Sequence, residues 1–143
     1  MAFLTMSDGV KIYYEDNKKD GQTLLFCHGL NSSHTLIKNF IDEFRGNYHV
    51  VCYDQRGHEN SDRPKINMNV NRLGKDLNEI IEQLKLNDII LIGHSMGAAT
   101  IFNYVNYHGC DRIKKIVAVD MSPYMRNTVW EGGIGLGKWT DNQ

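Results

Sequence analysis

A chain of 143 residues has the size of one domain and enough length to bury a core, and 41% hydrophobic against 23% charged residues is the balance of a soluble globular protein. The 16 Lys and Arg nearly match the 17 Asp and Glu, for a net charge of -1, and the signs are mixed along the chain, which leaves no footprint for nucleic acid or a membrane surface. No apolar stretch approaches a membrane span, and the opening Met1-Ala2-Phe3-Leu4-Thr5 lacks the basic region and long apolar core of a signal peptide, so the cytoplasm is the expected compartment.

Residues 2–6 and 10–15 read as a hairpin around Ser7-Asp8-Gly9, because Asp-Gly supplies the positive backbone angles of a tight turn. After a polar turn at Lys18-Lys19-Asp20-Gly21, the run Thr23-Leu24-Leu25-Phe26-Cys27 predicts a strand covered on both faces. Leu36, Ile37, Phe40, Ile41 and Phe44 share one helical face, ended by Gly46-Asn47, and Tyr48 to Asp54 is the next strand. A second helix sets Val70, Leu73, Leu77, Ile80, Ile81 and Leu84 on one stripe with charges opposite. Asp88 to Ile92 is a further strand, Ala98 to Val105 a further helix, and Lys114 to Asp120 the last strand.

Strands alternating with helices over short connections predict an α/β fold: a mostly parallel sheet with helices on both faces, preceded by the antiparallel hairpin. Cys27, Cys52 and Cys110 are odd in number and lack metal-ligand spacing, so they are expected to be reduced core thiols, with no metal site. Composition changes only at the end. Residues 1–120 form the expected core, while 121–143 gathers Met121, Tyr124, Met125, Trp130 and Trp139 among Gly132, Gly133, Gly135 and Gly137. That stretch reads as the start of a lid or cap lining an apolar pocket, or as ordinary core packing.

The informative motif is Gly93-His94-Ser95-Met96-Gly97, set between an apolar strand and a helix. Small residues at both ends let the backbone fold sharply enough to push the serine oxygen outward, which makes the turn a nucleophile elbow and Ser95 a candidate catalytic nucleophile. The N–H of Met96 then lies at a helix start, where unpaired donors and the helix dipole favour an oxyanion. The plain alternative is a Gly-x-Ser turn joining a strand to a helix.

Three motifs in this order, His28-Gly29-Leu30, Asp54-Gln55-Arg56-Gly57-His58-Glu59-Asn60-Ser61 and the elbow, give a chain that resembles the α/β-hydrolase fold family, near small bacterial esterases and cofactor-free haloperoxidases. The resemblance implies that the N–H of Leu30 is the second oxyanion donor beside that of Met96. It also implies that His28 and His94 support turns and that Arg56 and His58 organise their loop. Glu59 departs from the glycine usual at its position, which puts that turn's conformation in question.

A serine hydrolase also needs a histidine base and a carboxylate to orient it. In the family both follow the serine. After Ser95 the only histidine is His108, near the far end of the elbow helix and roughly 18 Å away at about 1.5 Å per residue, so it is not the base. Asp120 ends a strand at the edge where active-site groups gather; it is either the acid or the cap of the turn at Ser122-Pro123. The chain is therefore expected to be the front part of such a hydrolase, with the C-terminal strands absent and the base beyond residue 143. Uncovered, 116–119 would be an exposed apolar sheet edge, so the expected partner is the C-terminal remainder of the same parent chain. The expected function is a carboxylic ester hydrolase acting through a Ser95 acyl-enzyme on small to medium apolar esters, with no organic or metal cofactor. The alternative is a ligand-binding or inactive member of the same fold.

Overall fold

All five residues of Thr23–Cys27 are buried, and they form a central strand of a six-stranded sheet. The computed structural model describes residues 2–122. In chain order the elements are β1 Ala2–Thr5, β2 Lys11–Asp16, β3 Thr23–Cys27, α1 Lys38–Arg45, β4 His49–Tyr53, α2 Val70–Gln83, β5 Ile89–His94, α3 Met96–His108 and β6 Ile113–Val119. The sheet order is β1-β2-β4-β3-β5-β6, antiparallel across the first two pairings and parallel from β4 onward. The expected hairpin is present, turned at Gly9 with φ 83.

Helices cover both faces. On one, α2 and α3 bury Leu77, Ile80, Ile81, Ile101 and Tyr104 against Leu25, Cys27, Val51, Leu91 and Ile12. On the other, α1 places Ile41 and Phe44 against Leu24, Phe26, Val50 and Cys52. Burial of this apolar surface is the main stabilising term of the fold. The parallel register aligns Cys27 with Tyr53 and Gly93, and His94 with Val119. It therefore brings the loops after β3 and β4, the elbow and Asp120 to one edge of the sheet.

Several side chains differ from expectation. Leu36 and Phe40, assigned to a buried helical face, are 71% and 54% exposed: Leu36 precedes α1, which starts at Lys38, and Phe40 lines an open cavity. Val70 is also exposed. Gly46 keeps right-handed backbone, with φ -69, and the chain turns through hydrogen bonds from Asn47 N and Tyr48 N to Phe44 O. The stripe of α2 is not wholly apolar, since Asp76 is buried within it. Cys27 and Cys52 are buried thiols, each pushed up to about 12 by burial, whereas Cys110 is exposed. Strand β6 pairs with β5 on one side, and Ile116, Val117 and Val119 are exposed. Among the described residues no helix is long and apolar enough to cross a membrane.

Candidate active site

Ser95 stands between β5 and α3 with φ 50 and ψ -120, a conformation disfavoured for any residue carrying a β-carbon. Its neighbours make that turn possible. A β-carbon on Gly97 would strike the carbonyls of Cys27 and His28, lying 2.7 Å from the latter's oxygen, and one on Gly93 would lie 2.6 Å from the nitrogen of Ala98. The N–H groups of Ala98 and Ala99 turn back to Ser95 O at 2.9 and 3.2 Å, closing the first turn of α3. Met96 opens that helix, so its N–H belongs to the donors a helix does not satisfy internally.

The loop after β3 forms the facing wall. A β-carbon on Gly29 would sit 3.3 Å from Cβ of Ser95 and 2.9 Å from Nδ1 of His94, so the loop backbone passes directly against the elbow. Ser32 N donates to Gly29 O at 3.3 Å, and Asn31 takes φ 54, which turns the loop just after the exposed Leu30.

Two histidines hold this loop. His28 is fully buried; its Nδ1–H donates to Gly29 O at 2.7 Å and its Nε2 accepts from the backbone N–H of Gln55 at 2.9 Å. Burial, above all, lowers its pKa to about 4. Nε2 of His58 accepts from Asn31 N at 3.3 Å while its Nδ1–H donates to Arg56 O at 3.0 Å. Neither ring keeps a nitrogen free to take a proton from Ser95, so His28 and His58 support turns. His94 instead is exposed, its ring against Gly29, and it makes no side-chain hydrogen bond among the described residues.

The loop after β4 is anchored by charge. Arg56 is fully buried and pairs through Nε and Nη2 with Asp76 at 2.5 and 2.8 Å, and through Nη1 and Nη2 with Asp8 at 2.9 and 3.2 Å. Burial works against the Arg56 charge, but the hydrogen bonds it donates to Asp76 and Asp8 more than offset it and hold its pKa above the usual value. Asp54, also fully buried, accepts from N and Nδ1 of His34 at 2.9 and 2.7 Å and from Asn60 N at 3.2 Å. Glu59 adopts φ 38, so the turn keeps its left-handed form without glycine. Sequence reasoning missed Asp8, Asp76 and His34; a charge on an otherwise apolar helical stripe was the available signal for Asp76.

The remaining candidates are placed as follows. His108 ends α3 as the last of its 13 residues, stacked on Tyr104 with ring centroids 5.5 Å apart. Asp120 is exposed at the end of β6 with φ 56, on the same sheet edge as Ser95. A cavity of about 300 Å³, lined by Phe26, Ile37, Phe40, Ile92, His94 and Val119, opens beside the elbow on the α1 face. Among the described residues no group of three or more His, Cys, Asp or Glu is placed to hold a metal. The expected lid at 121–143 lies, from residue 123 on, outside the described residues.

Comparison with known proteins places the arrangement in context. The family described as alpha/beta hydrolase fold matches residues 22–135. A non-heme haloperoxidase of Rhodococcus erythropolis is 31% identical over 124 residues, covering 86% of this chain and 45% of its own length. A bifunctional esterase/perhydrolase of Acinetobacter calcoaceticus is 27% identical over 140 residues, covering 96% of this chain and 51% of its own. Among solved structures, an esterase from Exiguobacterium antarcticum superposes with a TM-score of 0.77 at 31% identity, over 81% of this chain and 43% of that one. A bromoperoxidase from Bacillus anthracis gives 0.77 at 30% identity, over 82% and 43%. The chain thus spans about half the length of the curated relatives it matches.

Proposed function

The chain belongs to the alpha/beta hydrolase fold family, and from that premise we propose that it is the nucleophile-bearing part of a serine carboxylic-ester hydrolase. Ser95 Oγ attacks the ester carbonyl carbon as the base takes its proton, and the N–H groups of Leu30 and Met96 hold the resulting oxyanion. The alcohol leaves with a proton from the base, and water then hydrolyses the acyl-enzyme. The observation that carries this reading is the backbone of Ser95, at φ 50 between β5 and α3, with the Gly29 turn packed against it.

The base comes from outside residues 1–143, from the remainder of the parent chain, and the acid is either Asp120 or a residue of that remainder. Among the histidines before the elbow, His28, His34, His49 and His58 are engaged with Gly29 and Gln55, Asp54, Asp16 and Thr23, and Arg56 and Asn31 respectively. The exposed residues of β6 and the apolar cavity beside the elbow supply the seat for that remainder, since an uncovered apolar edge is a liability. Asp120 is the nearest candidate acid within the chain. Small to medium uncharged esters suit the apolar surroundings, and this route calls on no metal or organic cofactor.

Purified residues 1–143 are expected to show no turnover of an aryl acetate above the buffer rate. Adding the C-terminal remainder is expected to restore turnover that Ser95→Ala abolishes. Ser95-dependent turnover by residues 1–143 alone would overturn the external base. Restored turnover that survives Ser95→Ala would overturn the nucleophile.

A further inference from the structure

Two oxyanion donors work together only if both point at one oxygen, and here they belong to separate elements. Leu30 lies in the loop after β3, and Met96 is the first residue of α3. Among the described residues no direct hydrogen bond joins residues 28–32 to α3. Beyond the direct packing of Gly29 and Gly97, the hydrogen-bonded link runs through Gln55, which is buried in the loop after β4. Its Nε2 donates to His28 O at 2.6 Å, and its Oε1 accepts from the hydroxyl of Thr100 on α3 at 2.8 Å. That hydroxyl also lies 3.0 Å from Met96 O. The backbone N–H of Gln55 reaches His28 Nε2 at 2.9 Å, and the ring passes the contact on to Gly29 O.

The chemistry leaves one orientation for the amide. Turned over, it would set Oε1 against the carbonyl of His28, acceptor against acceptor. A methionine would fill the same volume without the cost of burying a polar group, so an amide with both ends paired serves geometry rather than packing.

We propose that Gln55 is a positioning residue that clamps the Leu30 loop to the start of α3 and so sets the alignment of the two oxyanion donors. This rests on the assignment of Ser95, Leu30 and Met96 in the proposed function. A donor pair tolerates displacements of only about 0.5 Å, so losing the clamp acts on the reaction without any contact with substrate.

The test uses residues 1–143 as Gln55→Met, Thr100→Val and the double variant, read by backbone ¹⁵N relaxation and by binding of phenylboronic acid. The boronic acid forms a bond from Ser95 Oγ to boron; the serine proton goes to solvent, and the tetrahedral borate mimics the oxyanion intermediate. In Gln55→Met the order parameter of the Leu30 amide is expected to fall from about 0.85 to below about 0.6, with a smaller fall in Thr100→Val. The double variant is expected to match Gln55→Met, because both substitutions cut one chain of contacts. Boronate affinity is expected to fall about tenfold in the same order, the effect of losing one well-aligned hydrogen bond.

An ordered Leu30 in folded Gln55→Met, or additive effects in the double variant, would overturn the clamp. If Gln55→Met does not fold, the near-isosteric Thr100→Val decides: unchanged Leu30 order and unchanged affinity overturn it. A loosened Leu30 with unchanged boronate affinity would leave the clamp standing and overturn the oxyanion role of Leu30 instead.

Discussion

The backbone N–H of Ser95 donates to the carbonyl oxygen of Val119 across 2.9 Å, so the strained elbow hangs from the last residue of the edge strand β6. Its conformation is imposed by neighbours on both sides, by this bond and by the close approach at Gly93 and Gly97.

The strain predicts that Ser95→Gly is more stable than the parent by about 1–2 kcal/mol, because glycine carries no β-carbon penalty at φ 50. Ser95→Ala keeps the β-carbon and gains nothing. Urea denaturation midpoints of the two variants give the comparison; equal midpoints would show a relaxed elbow.

Glu59, at φ 38, pays a similar penalty in an exposed turn. Glu59→Gly is expected to stabilise by about 0.5–1 kcal/mol, less than the full relief because glycine also frees the unfolded chain. Thermal melts at matched pH measure it, and an unchanged or lowered midpoint contradicts it.

His28 makes stability depend on pH. The unfolded chain takes up a proton on this residue near 6.5, while burial delays that in the fold until about 4. Between those values the unfolded state binds more protons, so stability is full above the unfolded pKa and falls as pH falls through the window. The loss from this one group is about 3 kcal/mol. In His28→Gln the slope of unfolding free energy between pH 6.5 and pH 4 is expected to flatten. Urea titrations across the window supply the slopes.

Asp76→Ala would leave Arg56 fully buried with only Asp8 as a carboxylate partner. The expected cost is about 3 kcal/mol, the penalty for uncovering a buried charge. Replacing both members, as Arg56→Met with Asp76→Leu, is expected to recover most of it. A double variant no better than Asp76→Ala would mean that the pair itself, rather than the stranded charge, supplies the stability.

Patterns confined to one segment were legible in the sequence. Five consecutive apolar or small positions announced β3, and the stripe Leu73, Leu77, Ile80 and Ile81 announced α2, because each depends only on the element's own period. The elbow was legible for the same reason, as Gly93 to Gly97 is a local steric requirement. Gln55 was not, since its partners His28 and Thr100 lie 27 and 45 positions away and only the folded sheet brings them together. Asp76 could be noticed as a charge on the buried stripe, but its partner Arg56 lies 20 positions upstream in a loop and only the fold brings the two together. Leu36 and Phe40 carried the right periodicity, but periodicity says which residues share a face and not whether that face is covered.

The strand order carries a consequence for how the chain assembles. Among the described strands only β4 has to enter between two earlier ones, sliding in beside β2 and β3. After it, β5 joins the open side of β3 and β6 joins the open side of β5, so neither displaces a neighbour. As the chain leaves the ribosome, the costly step of closing distant contacts therefore falls early, at β4. From residue 84 onward the sheet lengthens by accretion at one side, and each new strand finds a finished template waiting.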